Sequence, residues 1–332
     1  MSSKRIVNGP SEEFALYPIK YVFASDILEE MSANTWFPTV IPMGEDVPKY
    51  RNELTDGERH TFDHTLAYLS TADVVAMRNI SIAIQEKFTS PECEMVAATI
   101  GQQEANHSLS YAHIMESIGM STTKQTELWN KYRTEPAIGN KIKKSLKYLN
   151  GLLNLPPQMN REQLIEFIHG YWYFSQIFEG VLFMSAFNLI LTLNQRGLMR
   201  RTATQLLYIR RDELVHQTFG ALSIKTIMAE NNIKLDPVII KDMILETYDL
   251  EKDFVNFVAP KGCIGYSKED HLGNFRHLTN LRLRNFGLDP VFEPTAGLSW
   301  INEMAGEILG NFFETRVIEY SVVNNVRDTF DE

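Results

Sequence analysis

Cysteine is almost absent from this chain: Cys93 and Cys263 are the only two, far apart and in no Cys-x-x-Cys arrangement. That excludes a disulfide scaffold and a dithiol redox enzyme, and it suits unpaired thiols in a reducing cytoplasm. Positive charge is also short, with 32 Lys and Arg against 42 Asp and Glu for a net charge of -10. A nucleic-acid backbone is therefore not expected as the main partner, and part of the negative balance is open to neutralisation by bound cations. No Gly/Ser linker, internal repeat or low-complexity stretch divides the chain, and strand signals are sparse. The N-terminal "MSSKRIVNGPSEEF" has no apolar core of signal-peptide length, so the protein is expected to stay in the cytoplasm.

Long apolar runs are limited to one, "YWYFSQIFEGVLFMSAFNLILTLN" at 171–194, which has the length of a membrane span. It carries Gln176, Glu179 and Asn188, and a carboxylate in mid-membrane is costly. With no second comparable span, the run is expected to be a buried helix at the centre of a soluble bundle, away from any membrane. Helical periodicity fills the rest, predicting helices at about 53–87, 92–119, 122–150, 161–195, 198–231, 235–259 and 267–286. "TSPE" at 89–92 marks one helix start, with Pro91 near the first turn, and "NLPPQMNREQ" separates two others. At 44% hydrophobic residues, 332 positions supply ample core. The expectation is one all-α domain over 25–317, an extended arm at 1–24 and a flexible tail at 318–332.

Charge is concentrated in "IRRDELVH" at 209–216, inside an apolar neighbourhood. Glu213 and His216 stand three apart, so on a helix they project from one face and can converge on a metal ion. Alone, a Glu-x-x-His is as well read as a solvated helix turn. A second one, Glu104 and His107 in "GQQEANHSLSY", changes that: two such helices mark a dinuclear carboxylate site in a four-helix bundle, which needs one more carboxylate from each of two further helices. The buried run supplies Glu179, and "LSTADVVAM" supplies Asp73 amid small and apolar residues. Four carboxylates and two imidazoles suit two divalent ions such as iron or manganese. Without cations, burying the four acids would cost many kcal/mol.

A third Glu-x-x-His, Glu166 and His169 in "EFIH", shares the helix of Glu179. Thirteen residues further back, at 100° per residue, Glu166 points about 140° away and cannot serve the same site. Glu166 and His169 are assigned to the surface or to local packing.

At these residues the chain resembles the small, radical-generating subunit of class I ribonucleotide reductase. The ligand spacings match that family, as do "ANHSLSY", "FEGVLF", "RRDELVH" and "NFFETRVIEY". The resemblance covers roughly residues 25 to 332. It implies a ferritin-like helical bundle with a four-helix dimetal-carboxylate core and additional helices. It implies that Tyr111, one turn after His107, holds a radical, with Phe183, Phe187 and Ile209 as the dry pocket around it. It implies a transfer path through Trp36, Asp212 and His107, leaving by Tyr320. Asp212 would accept the second ring N–H of His107, as carboxylates commonly do beside metal-bound histidines.

The implied centre is two iron ions first, with a manganese–iron or dimanganese pair as variants, activating an oxygen species. The implied partners are a large catalytic subunit, a second copy of the chain and, for a dimanganese centre, a flavodoxin-like activator. With only two cysteines and no nucleotide-phosphate loop, reduction of the ribonucleotide itself is expected on the large subunit. The competing readings are another ferritin-like dimetal oxidase or oxygenase acting on a hydrocarbon or lipid, and a non-catalytic iron-binding bundle.

Overall fold

The computed structural model describes residues 4–10 and 12–308. Among them no strand forms; two isolated β-bridges, Val7 with Phe88 and Cys263 with Tyr266, are the only extended pairings. In chain order come α1 (Val22–Ala33), α2 (Asp46–Pro48), α3 (Asp56–Asn79), α4 (Pro91–Ser117), α5 (Thr122–Trp129), α6 (Lys131–Thr134) and α7 (Pro136–Leu153). Then follow α8 (Arg161–Trp172), a π-helical segment (Tyr173–Phe183), α9 (Met184–Asn194), α10 (Arg200–Asn231), α11 (Pro237–Val258) and α12 (Lys268–Asn285). A further helix begins at 299 and continues to the last described residue, 308.

Local chemistry sets the helix starts. Reciprocal capping boxes, Thr55 with Glu58, Asn160 with Gln163 and Ser267 with Asp270, open α3, α8 and α12. Proline occupies the first turn of α4, α7 and α11, where its missing N–H costs nothing. Four continuous helices form the central bundle, the π-helical segment and α9 being parts of one: α3 packs on α4 and α9, and α10 packs on α4, α9 and the π-helical segment. The apolar run lies in the continuous helix Arg161–Asn194, the only described helix long and apolar enough to cross a membrane, and its apolar window is wholly buried in protein. Its side chains face neighbours on every side, which is why it reads as apolar all round.

Two expectations change. The single helix expected at 122–150 is three, because Pro136 cannot continue a helix and holds Glu135 in an extended conformation; the Glu135 side chain instead caps the next helix at Ala137. The helix list also changes at the N-terminus, where the described part of the expected arm packs onto the bundle. Ile6 and Val7 are fully buried, Lys4 reaches Glu92 of α4 at 3.3 Å, and α1, absent from the expected helices, already starts at Val22.

Candidate metal centre

Four elements bring six side chains to one interior point: Asp73 from α3, Glu104 and His107 from α4, Glu179 from the π-helical segment, and Glu213 and His216 from α10. None is more than 1% exposed. Donor atoms of Asp73, Glu104, His107 and Glu213 lie within 4.8 Å of one another, and so do those of Glu104, Glu179, Glu213 and His216. Glu104 and Glu213 belong to both sets, so the cluster is two adjoining cradles with two shared carboxylates.

The imidazoles are held so that Nδ1 faces the cluster. His107 Nδ1 lies 3.2 Å from Glu213 Oε1 and 3.6 Å from Asp73 Oδ1, and His216 Nδ1 lies 3.2 Å from Glu104 Oε1. On their far sides, His107 Nε2 stands 3.3 Å from Asp212 Oδ2 and His216 Nε2 stands 2.8 Å from Gln103 Oε1. Each outer oxygen accepts the Nε2 proton and leaves the Nδ1 lone pair for an ion, the arrangement usual behind metal-bound histidines.

Both oxygens of Asp73, Glu104 and Glu213, one of Glu179, and Nδ1 of both histidines are buried without a hydrogen bond. Orphaned polar atoms at this density are rare in a folded interior, and each costs about 1–3 kcal/mol or more when charged. The same atoms are the donors that divalent iron or manganese takes, so the residues fit a dinuclear centre. Without cations, burial pushes the Asp73 and Glu179 carboxyls well above the usual range. Burial also opposes charge on Glu104, yet the two imidazoles beside it hold it at about 2. Burial alone would discharge both imidazoles; the surrounding carboxylates reverse this, raising His107 well above its ordinary value and His216 to about 10. Protons thus stand where cations would.

Glu179 sits within the eleven-residue π-helical segment Tyr173–Phe183. Such wide turns are rare and gather at functional sites, since they re-aim a side chain at the cost of regular hydrogen bonds. Arg282 of α12 takes up part of the displaced backbone by donating to the Gly180 carbonyl at 3.2 Å, and the Gln176 side chain ties the segment to α10 by donating to the Gln217 carbonyl at 3.2 Å. A β-carbon at position 180 would lie 2.9 Å from Arg282 Nε, so glycine is what lets the guanidinium reach this backbone.

Tyr111 follows His107 by four residues on α4 and is fully buried, its hydroxyl without a hydrogen bond. Burial, then the Asp73 carboxylate, pushes its phenol well above the ordinary value. Phe183, Phe187 and Ile209 are fully buried, and the two phenylalanine rings stack at 6.1 Å. Trp36, between α1 and α2, donates Nε1–H to Asp212 Oδ2 at 2.7 Å, the same oxygen that faces His107. The Trp36 and His107 rings stack at 6.4 Å. Trp36, Asp212 and His107 therefore form one connected line from near the surface to the cluster. Tyr320 lies outside the described residues.

The decoy stays apart. Glu166 is exposed, while His169 accepts the Asp236 N–H at Nε2 and faces the Ile165 carbonyl. Sequence reasoning missed several supporting residues: Gln103 behind His216, Tyr208 packed at 5.2 Å against Trp36, and Arg211, which binds Asp212 Oδ1 and the Asn34 carbonyl. Gln103 and Arg211 stand next to expected site residues, but nothing in the sequence told their direction.

A family profile described as "Ribonucleotide reductase, small chain" matches residues 13–297. The chain is 30% identical to a ribonucleoside-diphosphate reductase subunit beta from Chlamydia pneumoniae, over 98% of this chain and 95% of that one. It is 26% identical to a ribonucleoside-diphosphate reductase small subunit from Dictyostelium discoideum, over 95% and 88%. In fold it is similar to the ribonucleotide reductase R2 subunit of Clostridium botulinum, with a TM-score of 0.80 at 24% identity, covering 91% of this chain and 94% of that one.

Proposed function

Because the chain belongs to the ribonucleotide reductase small-chain family, and so is a ferritin-like ribonucleoside-diphosphate reductase small subunit, we propose that Asp73, Glu104, His107, Glu179, Glu213 and His216 hold its dinuclear metal centre. The observation that carries this is the pair of adjoining cradles with their orphaned donor atoms. Two ions, iron first and a manganese–iron or dimanganese pair otherwise, would supply one-electron oxidising chemistry there. The residues around them set its conditions. Asp212 and Gln103 fix the tautomers of the two histidines. Phe183, Phe187 and Ile209 keep water and reductants away. Tyr111 stores the oxidising equivalent, and after burial the Asp73 carboxylate does most to hold its phenol protonated. His107, Asp212 and Trp36 carry the equivalent outward. Tyr320 passes it to the large subunit, where the ribonucleotide is reduced and on which the tail at 318–332 docks. Purified chain and large subunit should reduce nucleotides only when mixed; reduction by this chain alone would refute the division of labour.

Metal loading should also release protons. At neutral pH both imidazoles are protonated in the metal-free protein, His216 with a value of about 10, and each must free Nδ1 to bind an ion. Loading in weak buffer at pH 7 is expected to liberate about two protons or more per chain. A loading reaction with no change in pH would contradict the placement of the histidines.

The cytoplasm is the proposed compartment, and the proposed assembly is a homodimer through α3 and α4. Val74, Met95 and Leu109 are 42–64% exposed there, and so is Ile82 just past the end of α3, although each is apolar. On α4, Met95, Ala98, Gln102, Ala105, Leu109 and Ala112 recur at spacings of three and four, a seam suited to another helix. Leu109→Glu should turn a dimer at micromolar concentration into a monomer in sedimentation while leaving metal content unchanged. A wild-type monomer at that concentration would refute the assembly.

A further inference from the structure

Consecutive arginines on α10 have different fates. Arg211 has its carboxylate in Asp212, but Arg210 makes no hydrogen bond or ion pair among the described residues. Its guanidinium lines a cavity of about 470 Å³ between α9, α10, α12 and the start of the helix at 299. Arg282 lines the same cavity, is only 6% exposed, and donates solely to neutral oxygens, the Gly180 carbonyl and Gln217 Oε1. Among the described residues no aspartate or glutamate lines this space. Burial, then the charge of Arg210, lowers Arg282 to about 10, so the two cations repel with no counter-ion between them. The chain as a whole carries a charge of -10, so an uncompensated cationic cavity is not an extension of a basic surface.

Arg210 and Arg282 in the wall of one space suit the planar recognition of phosphate oxygens, Arg282 through the N–H groups left beyond its bonds to Gly180 and Gln217. Asn274 and Asn188 are buried in the wall, and Ser299 and Asn302 are exposed at the mouth, so further donors stand around the cations. The space exceeds a lone phosphate, and Met184, Leu214 and Leu281 give it apolar walls. We propose that this cavity binds the phosphate group of a small phosphomonoester, with Arg210 and Arg282 as the anion clamp. The site stands on its own residues and does not depend on the metal assignment. Arg282 also ties it to Gly180, the residue after Glu179.

The test is calorimetric titration of the full-length, metal-loaded protein with inorganic phosphate, ribose 5-phosphate and ribose. Both phosphates should bind, the sugar phosphate more tightly, and ribose should not. Equal affinity for the two phosphates would make free phosphate the occupant of the same clamp. Arg210→Gln removes half the clamp and should weaken binding roughly tenfold or more. Asn302→Asp, at an exposed rim position, supplies an internal carboxylate and should weaken it as well without loss of fold. Neither phosphate binding at millimolar concentration, or unchanged binding in both variants, would overturn the proposal.

Discussion

Glu213→Ala is expected to abolish metal binding and with it any radical signal, while helix content stays close to wild type. Glu213 contributes to both cradles, so its loss damages both ion positions at once. The helix around it does not need the carboxylate: alanine is the best helix former, and α10 keeps its apolar contacts. A second signature separates a ligand from a structural acid. In the metal-free protein Glu213 is paired with both imidazoles, His107 Nδ1 at 3.2 Å and His216 Nδ1 at 3.4 Å, so its loss there lowers both histidines toward neutral, whereas the stabilisation that metal loading adds should disappear altogether. Glu166→Ala is the matched control, exposed on α8 and expected to retain its metals. Full occupancy in Glu213→Ala would remove it from the centre, and metal loss in Glu166→Ala would show that the wrong acid had been chosen.

Trp36→Phe should separate making the radical from using it. Phenylalanine keeps a ring beside Tyr208 but loses the N–H that Asp212 Oδ2 accepts at 2.7 Å, and it is far harder to oxidise. Metal content and the Tyr111 signal should persist, because no proposed ligand is touched. Nucleotide reduction with the large subunit should fall to background. Loss of one charged hydrogen bond predicts only a modest stability change, about 1.5–3 kcal/mol, which thermal unfolding can read separately. Turnover near the wild-type rate would mean that Trp36 packs against Tyr208 and Asp212 without carrying electrons. Tyr320→Phe tests the other end of the path by the same logic, with metals and resting radical intact and turnover lost.

The bundle was legible where a single period governed long stretches. The helix expected at 92–119 spans Pro91–Ser117, and the apolar run became the buried centre because its one carboxylate could be accounted for in protein but not in lipid. The cluster was legible because i, i+3 spacing fixes direction on a helix, and the same geometry set Glu166 aside. What escaped depends on contacts that sequence does not order. Helix α1 shows only a modest amphipathic pattern in twelve residues, buries Ala24, Ile27 and Met31, and relies on α4 and α10 for its place. The π-helical segment leaves no mark on a sequence that is apolar all round; Arg282, distant in the chain, supports its backbone at Gly180, and Gln217 bonds the Gln176 side chain within it. Pro136 was visible, and its power to divide 122–150 was underweighted against a pattern that ran on through it.

The charge in "IRRDELVH" divides accordingly. Glu213 and His216 face the cluster, Asp212 orients His107, Arg211 holds Asp212, and Arg210 lines the cavity between α9, α10 and α12. Four of these five side chains act within one interior assembly because a helix in the bundle core has few positions that see solvent.

The most direct measurement of the proposed centre is the metal stoichiometry of the wild-type chain at saturation, determined by elemental analysis after removal of free ions. About two divalent ions per chain are expected, as four carboxylates and two imidazoles in adjoining cradles require. One ion per chain, or none, would contradict the dinuclear centre and everything derived from it.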